Sequence, residues 1–214
     1  MPRTGPFDEH AAEYDRWFDQ NSLVYESELE AVRALLPPHR NAVEVGVGTG
    51  RFAVPLGIRT GVEPSRPMAA LARRRGIQVI EAVAEELPFG DGVFDLVLMV
   101  TTVCFLDDVD RAFDEAHRVL EPGGHFIVGF LDREAPLGRR YEARKAESDY
   151  YRNARFVSSK EVTAGIKGAG FGEFAAVQTI FESPKNMKER SPVEPGYGRG
   201  LFVVVRGRRA VQQP

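Results

Sequence analysis

Cysteine is almost missing: Cys104 is the single one in 214 residues. A lone thiol excludes an intrachain disulfide framework and a multi-cysteine zinc site, and predicts a reducing, cytoplasmic compartment. Long apolar runs are missing too. The longest aliphatic stretches, such as Leu96 to Val100, fall far short of the ~20 residues that cross a bilayer. The opening segment Met1-Pro2-Arg3-Thr4-Gly5-Pro6 leads into charged residues and lacks the apolar core of a signal peptide, so neither export nor a membrane partner is expected. Neither sign of charge dominates. Lys plus Arg at 28 against Asp plus Glu at 31, net −3, builds no field for nucleic acid as an obligatory partner. Arg73-Arg74-Arg75, Arg139-Arg140 and Arg206 to Arg209 accordingly read as solvated faces. His10, His39, His117 and His125 fall at no metal-ligand spacing, and no metal site is expected. What remains is an ordinary globular composition, 43% hydrophobic and 28% charged, of a length that suits one large domain.

From Asp8 to Leu36 the residues Tyr14, Trp17, Phe18, Leu23, Leu29, Val32 and Leu36 recur at helical spacings until Pro37-Pro38 ends the pattern, which predicts two helices. Apolar strands then alternate with amphipathic helices. Strands are expected at Ala42 to Val45, Ile58 to Val62, Val79 to Ala82, Phe94 to Val100 and Phe126 to Phe130. Helices are expected at Met68 to Arg75 and Val109 to Leu120, with Glu121-Pro122-Gly123-Gly124 as a turn. A Ser-capped helix from Ser158 to Ala169, stopped by Gly170, precedes strands at Phe174 to Phe181 and Leu201 to Val205, joined by the long loop Glu182 to Gly200. The fold class is therefore α/β: a doubly wound, mostly parallel, seven-stranded Rossmann-like sheet with an antiparallel C-terminal hairpin and an N-terminal helical cover. The expected organisation is one domain: residues 1–38 as cover, 41–131 as core, 132–157 as an inserted lid-like segment, and 158–214 as the C-terminal helix and hairpin.

The most informative segment is Val43-Glu44-Val45-Gly46-Val47-Gly48-Thr49-Gly50, where glycines at a strand-to-helix turn let backbone amides approach a ligand. Gly48-x-Gly50-x-x-Ala53 also satisfies the dinucleotide pattern, so the turn alone leaves a nicotinamide oxidoreductase open. Glu44 ahead of the first glycine, and a following helix shortened by Pro55, pull away from that reading.

The ordered set of motifs resembles the class I S-adenosylmethionine-dependent methyltransferases, in the broad small-molecule group. It comprises Tyr14-Asp15, Glu44 to Gly50, Gly61-Val62-Glu63-Pro64-Ser65, Ala84-Glu85-Glu86-Leu87-Pro88-Phe89, Phe94-Asp95-Leu96-Val97 and Arg118-Val119-Leu120-Glu121-Pro122-Gly123-Gly124. The resemblance implies S-adenosyl-L-methionine as cofactor, bound by Tyr14, Glu44, Gly46, Gly48, Thr49, Gly50, Glu63, Pro64, Ala84, Glu85, Val100 and Thr101. The turn would serve the amino-acid end and Glu63 the ribose hydroxyls. Ala84-Glu85 would lie beside the adenine, and Val100 and Thr101 beside the methyl group. Where many relatives carry an aspartate before that alanine, this sequence has Val83, which leaves the adenine amino group without an evident acceptor. Thr102, Cys104 and Phe105 read as the turn that follows. A non-catalytic adenosine-ligand-binding protein of the same fold remains the alternative from another class.

For catalysis the sequence offers only His10, beside the cover, and Asp132, just past the carboxyl end of a strand. Methyl transfer from an activated sulfonium needs alignment more than a dedicated base. The aromatic residues of Phe7 to Phe18 and Arg133 to Phe156 are expected to close over the methyl position, and the partner to be a small-molecule acceptor.

Overall fold

The structure, a computed structural model, describes residues 4–211. Met1 to Arg3, part of the segment judged against a signal peptide, lie outside them. Two helices come first, α1 (Gly5–Gln20) and α2 (Ser22–Leu35). The alternating half follows: β1 (Ala42–Val45), β2 (Thr60–Val62), α3 (Arg66–Arg74), β3 (Gln78–Ile80), β4 (Phe94–Val100), α4 (Val109–Val119) and β5 (Leu120–Leu131). The remainder is α5 (Pro136–Arg144), α6 (Ser159–Gly168), β6 (Phe171–Thr179), β7 (Glu194–Pro195) and β8 (Phe202–Arg209).

The strands form one sheet in the order β3-β2-β1-β4-β5-β8-β6-β7. β3 through β5 run parallel, whereas β8 is antiparallel to β5 on one side and to β6 on the other. β4 and the second half of β5 read as nearly unbroken apolar runs because both of their faces are buried. Along β5, Phe126 packs on Phe113 of α4, ring centroids 5.3 Å apart. The next residue, Ile127, points to the other face, into the cluster with Val32 of α2 and Phe202 of β8. Truncating one such fully buried ring costs roughly 3–5 kcal/mol.

All seven expected strands are present. An eighth, the two-residue β7, pairs Gln178 with Glu194 and Val177 with Pro195 at the sheet edge; its polar, proline-bearing sequence carries no strand signal. Two expectations need correction. The helix after the glycine turn is reduced to a single 3₁₀ turn, Val54–Leu56, around Pro55. The segment Glu121 to Gly124 is no helix-to-strand turn but a bulge inside β5, whose pairing with β4 jumps from Phe94↔Leu120 to Leu96↔His125. Gly123 makes the bulge feasible at φ +87°, where a side chain would be strained. The Ser158 cap is present as a capping box with Glu161. Among the described residues, no helix is long and apolar enough to cross a membrane.

Candidate functional site

A cleft of about 890 Å³, counted out to its solvent-open mouth, lies at the carboxyl ends of β1, β2 and β4. This is where a doubly wound sheet leaves room for ligands. Its lining takes Glu44, Gly46, Gly48 and Thr49 from β1 and the turn after it, and Glu63 and Pro64 from the end of β2. Ala84 and Glu85 come from the loop after β3, Val100 and Thr101 from the end of β4, and Tyr14 from α1. Gly50 is not in the lining; its amide closes the turn on the Val47 carbonyl at 2.9 Å.

Close packing sets the turn. Gly46 and Val47 donate to the Val62 carbonyl at 2.8 and 3.0 Å, tying the turn to β2. A Cβ on Gly46, which sits at φ +71°, would lie 2.2 Å from Thr102 Oγ1. Glu63, 7% exposed, accepts from Gly48 N on one carboxylate oxygen and from Ser65 N on the other, both at 2.9 Å. Burial pushes its carboxyl up to about 7, while those two amides pull the other way. Each oxygen keeps a further lone pair, so the group can still receive a pair of hydroxyls. Glu44, 2% exposed, has an Oε2 with no hydrogen-bond partner, and burial pushes its carboxyl well above the usual range.

A helix is strapped across this floor. Asp15 of α1 pairs with Arg51 Nε at 2.9 Å and Arg75 Nη2 at 2.8 Å, and Arg75 also donates to the Thr49 carbonyl at 2.9 Å. Burial opposes ionisation of Asp15, yet the two guanidiniums hold its carboxyl down at about 2. Beside the strap, Tyr14 meets the end of β4, where Thr101 is held at φ +52°. For a β-branched residue that backbone costs of order 1–3 kcal/mol and persists only where the surrounding structure holds it. Burial drives the Tyr14 hydroxyl far up, partly offset by the Thr101 side chain beside it.

Over the cleft the two expected cover segments meet. Phe7 is edge-on to Tyr14 and Phe105, with centroids at 5.5 and 4.9 Å, and stacks on Tyr150 at 5.9 Å. Tyr151 stacks on Phe105 at 6.0 Å, and the Tyr150 hydroxyl donates to the His10 carbonyl at 3.4 Å. Trp17, expected in the cover, is instead 37% exposed.

Neither catalytic candidate reaches the cleft. His10 sits at a kink in α1, with its ring 3.9 and 3.4 Å from the exposed carboxylates of Glu9 and Glu13. Asp132 is 1% exposed and accepts from Ser159 Oγ at 2.6 Å and from Glu134 N at 2.9 Å. It fastens the start of α6 to the inserted segment. The Glu85 carboxylate, expected beside an adenine, turns to the next loop and accepts from Asp107 N at 2.9 Å. Arg51 and Met68, assigned no functional role from the sequence, also line the cleft, as do Phe7 and Phe18 of the expected cover, Val83, and Thr102 and Phe105, read there only as a turn. The aromatic spacing of α1 carried a signal for Phe18. Arg51 carried none, because its partner Asp15 is 36 residues away.

An orphaned buried carboxyl oxygen, a glycine cradle without room for a side chain and a two-oxygen acceptor with free lone pairs suit an adenosine joined to an amino acid. Residues 43–128 match the family model of a methyltransferase domain. The crystal structure of a SAM-dependent methyltransferase of Thermotoga maritima, named as a possible histamine N-methyltransferase, superposes with a TM-score of 0.93. It is 52% identical, over 96% of this chain and 99% of that one. The uncharacterized protein MJ1123 of Methanocaldococcus jannaschii is 45% identical over 93% of this chain and 96% of its own length. A malonyl-[acyl-carrier protein] O-methyltransferase of Geobacter sulfurreducens is 34% identical over 77% of this chain and 68% of its own. The chain thus belongs to the S-adenosylmethionine-dependent methyltransferases, and S-adenosylmethionine is its cofactor.

Proposed function

We propose that the enzyme transfers the methyl group to a small molecule enclosed between the Tyr14–Thr101 contact and the aromatic cover. The cover carries this reading: Phe7 and Tyr14 of α1, which line the cleft, meet Tyr150 of the segment after α5, and aromatic rings gathered at the cleft suit a small acceptor better than a folded macromolecule. The relatives' names do not choose the acceptor atom, since one specifies nitrogen and another oxygen.

When bound, S-adenosylmethionine supplies a methyl group already activated by its sulfonium, so the chain's task is to hold, orient and keep dry. Glu63, held by the Gly48 amide, would fix the ribose, with Pro64 closing the edge behind it. The orphaned Glu44 Oε2, with Gly46, Thr49 and the turn closed by Gly50, would receive the amino-acid end. Ala84, Val83 and the backbone at Glu85 would wall the adenine. Val100, Thr101 and Tyr14 would face the transferable carbon. Orientation of this kind can supply up to ~7–11 kcal/mol, and a base adds a further ~10²–10⁴-fold where one is used. Neither His10 nor Asp132 is placed to act as that base. The lone Cys104 fits a cytoplasmic setting.

Hydrogen exchange with and without S-adenosylhomocysteine tests the cover: protection rises in Asp8 to Phe18 if the helix closes on a filled cleft. A radiolabelled transfer screen tests the acceptor. Robust labelling of RNA or protein, with none in small-molecule extracts, overturns the proposal.

A further inference from the structure

Helix α1 supplies Phe7, Tyr14 and Phe18 to the lining of the cleft, yet burial does little to hold it there. Only Ala11 and Phe18 of its sixteen residues are buried, whereas α2 buries seven of fourteen, a stripe between Val24 and Leu35 that includes Glu28. The helix kinks at His10, and no side chain caps its start at Thr4. A helix owes most of its stability to the face it packs, so something else must seat this one.

Its seat is ionic. Asp15 and Asp19, one turn apart on α1, both face Arg51, which follows the glycine turn. Arg51 Nη1 and Nη2 each reach an Asp19 oxygen at 2.7 Å, while Nε and Nη2 reach the Asp15 carboxylate at 2.9 and 3.2 Å. Nη2 also donates to the Asp15 carbonyl at 2.8 Å, and the guanidinium lies 5.7 Å from the centre of the Phe18 ring. The two aspartates are not equivalent. The Asp19 side chain is 66% exposed and that of Asp15 only 17%, and Asp15 alone of the two also meets Arg75, which holds the Thr49 carbonyl of the turn with its other nitrogen. Breaking a shielded pair from one side leaves a charge unpaired and is costly, whereas an exposed pair is worth little. Asp15 does not line the cleft, but its neighbour Tyr14 does, and the Tyr14 ring meets Phe7, Phe18 and Tyr150 at 5.5, 5.3 and 5.4 Å.

We propose that Asp15 is a positioning residue for methyl transfer: acting through Arg51 and Arg75, it ties the seat of Tyr14 to the glycine turn, so that filling the turn steadies α1 and unseating α1 loosens the cofactor. This rests on the placement of S-adenosylmethionine at the turn. It goes beyond that placement by putting part of the cofactor's affinity on a residue outside the cleft. The coupling is reciprocal, since whatever factor the cofactor adds to the seating, the seating adds to the cofactor's affinity.

The test uses the full chain, S-adenosylhomocysteine and Trp17, the single tryptophan of the sequence, which lies on α1 between the two aspartates and is 37% exposed. Its fluorescence reads the seating of the helix without turnover. In the wild type, S-adenosylhomocysteine lowers the quenching of Trp17 by acrylamide. Asp15→Asn raises the Kd by about tenfold or more and removes most of that protection, and Asp15→Glu, which keeps the charge, recovers part of both. Arg75→Gln cuts the route to Thr49 and leaves Arg51 on Asp15; it raises the Kd by about threefold and decides the matter should Asp15→Asn fail to fold. Asp19→Asn changes the Kd by less than about twofold. A merely structural Asp15 gives another pattern: the Tm falls equally with and without S-adenosylhomocysteine, while the Kd and the Trp17 protection hold. That pattern overturns the proposal, as does unchanged quenching of wild-type Trp17 on binding, or a loss in Asp19→Asn as large as in Asp15→Asn. Failure of S-adenosylhomocysteine to bind the wild type at all overturns the cofactor site itself, and this inference with it.

Discussion

The floor and the roof of the cleft are built by opposite strategies. The floor hangs on backbone: Glu63 is set by the amides of Gly48 and Ser65, and the glycine turn is pinned by the Val62 carbonyl. All of it sits at the ends of packed parallel strands. The roof is made of side chains: Phe7, Tyr14, Tyr150 and Tyr151 come from segments as much as 140 residues apart, and rings touch where amides would bond. Chemistry shared across a fold belongs on the rigid part, and chemistry particular to one enzyme belongs on what is laid over it.

Substitutions can break this contrast. Gly46→Val strikes the floor hardest, since a Cβ 2.2 Å from Thr102 Oγ1 at φ +71° combines overpacking with backbone strain. A loss of about 2–5 kcal/mol is expected, read as a Tm lower by roughly 10 °C together with lost S-adenosylhomocysteine binding; a wild-type melting curve would show that the turn yields. Glu63→Ala should leave the fold intact and weaken S-adenosylhomocysteine at least tenfold in calorimetry, since hydrogen bonds to a charged group are worth roughly 1.5–3 kcal/mol each. An unchanged Kd would place the ribose elsewhere.

The pH dependence of stability reports on a buried carboxyl of the floor, Glu63, and on one beneath α2, Glu28. Burial raises Glu28 to about 8 and Glu63 to about 7 from an ordinary 4.5. Each therefore contributes stability that is fully present below about 4.5 and is lost as pH rises through its folded value, because only the unfolded chain ionises freely. Denaturant titrations should show stability falling across that window, and Glu28→Gln should flatten the fall by of order a few kcal/mol. A Glu28→Gln curve parallel to the wild type would put a partner on the Glu28 carboxyl. The smallest effect is expected from Val83→Asp in the half-buried cleft wall: S-adenosylhomocysteine should bind as tightly as before or slightly tighter, and a large loss would mean that Val83 packs against the ring.

The same contrast explains what could be read without coordinates. β1 and β4 fall where their apolar runs put them because burial on both faces leaves no alternation to misread. Capping of α6 is a local exchange between Ser158 and Glu161, and three residues suffice to see it. Asp132 misled for the converse reason: its place beyond β5 is legible, but the Ser159 hydroxyl that occupies its carboxylate is a contact across 27 residues. Glu28 stood in plain view on the α2 stripe, yet periodicity attends to the apolar positions and passes over the charged one among them. β7 owes its existence to Gln178 and Val177 across the edge, and nothing within Glu194–Pro195 announces it.

One further consequence lies in the time order of synthesis. β8, later in the sequence than every other described strand, is an interior member of the sheet, seated between β5 and β6. A ribosome that has released everything up to residue 200 has delivered a cofactor cleft whose supporting sheet is split, with the partner-facing edges of both β5 and β6 bare. Unpaired edges of this kind invite association with other chains, and late long-range pairing slows closure. Chaperone demand should therefore stay high until Phe202–Arg209 has emerged, and a stop introduced before Phe202 should yield aggregates rather than a weakened enzyme.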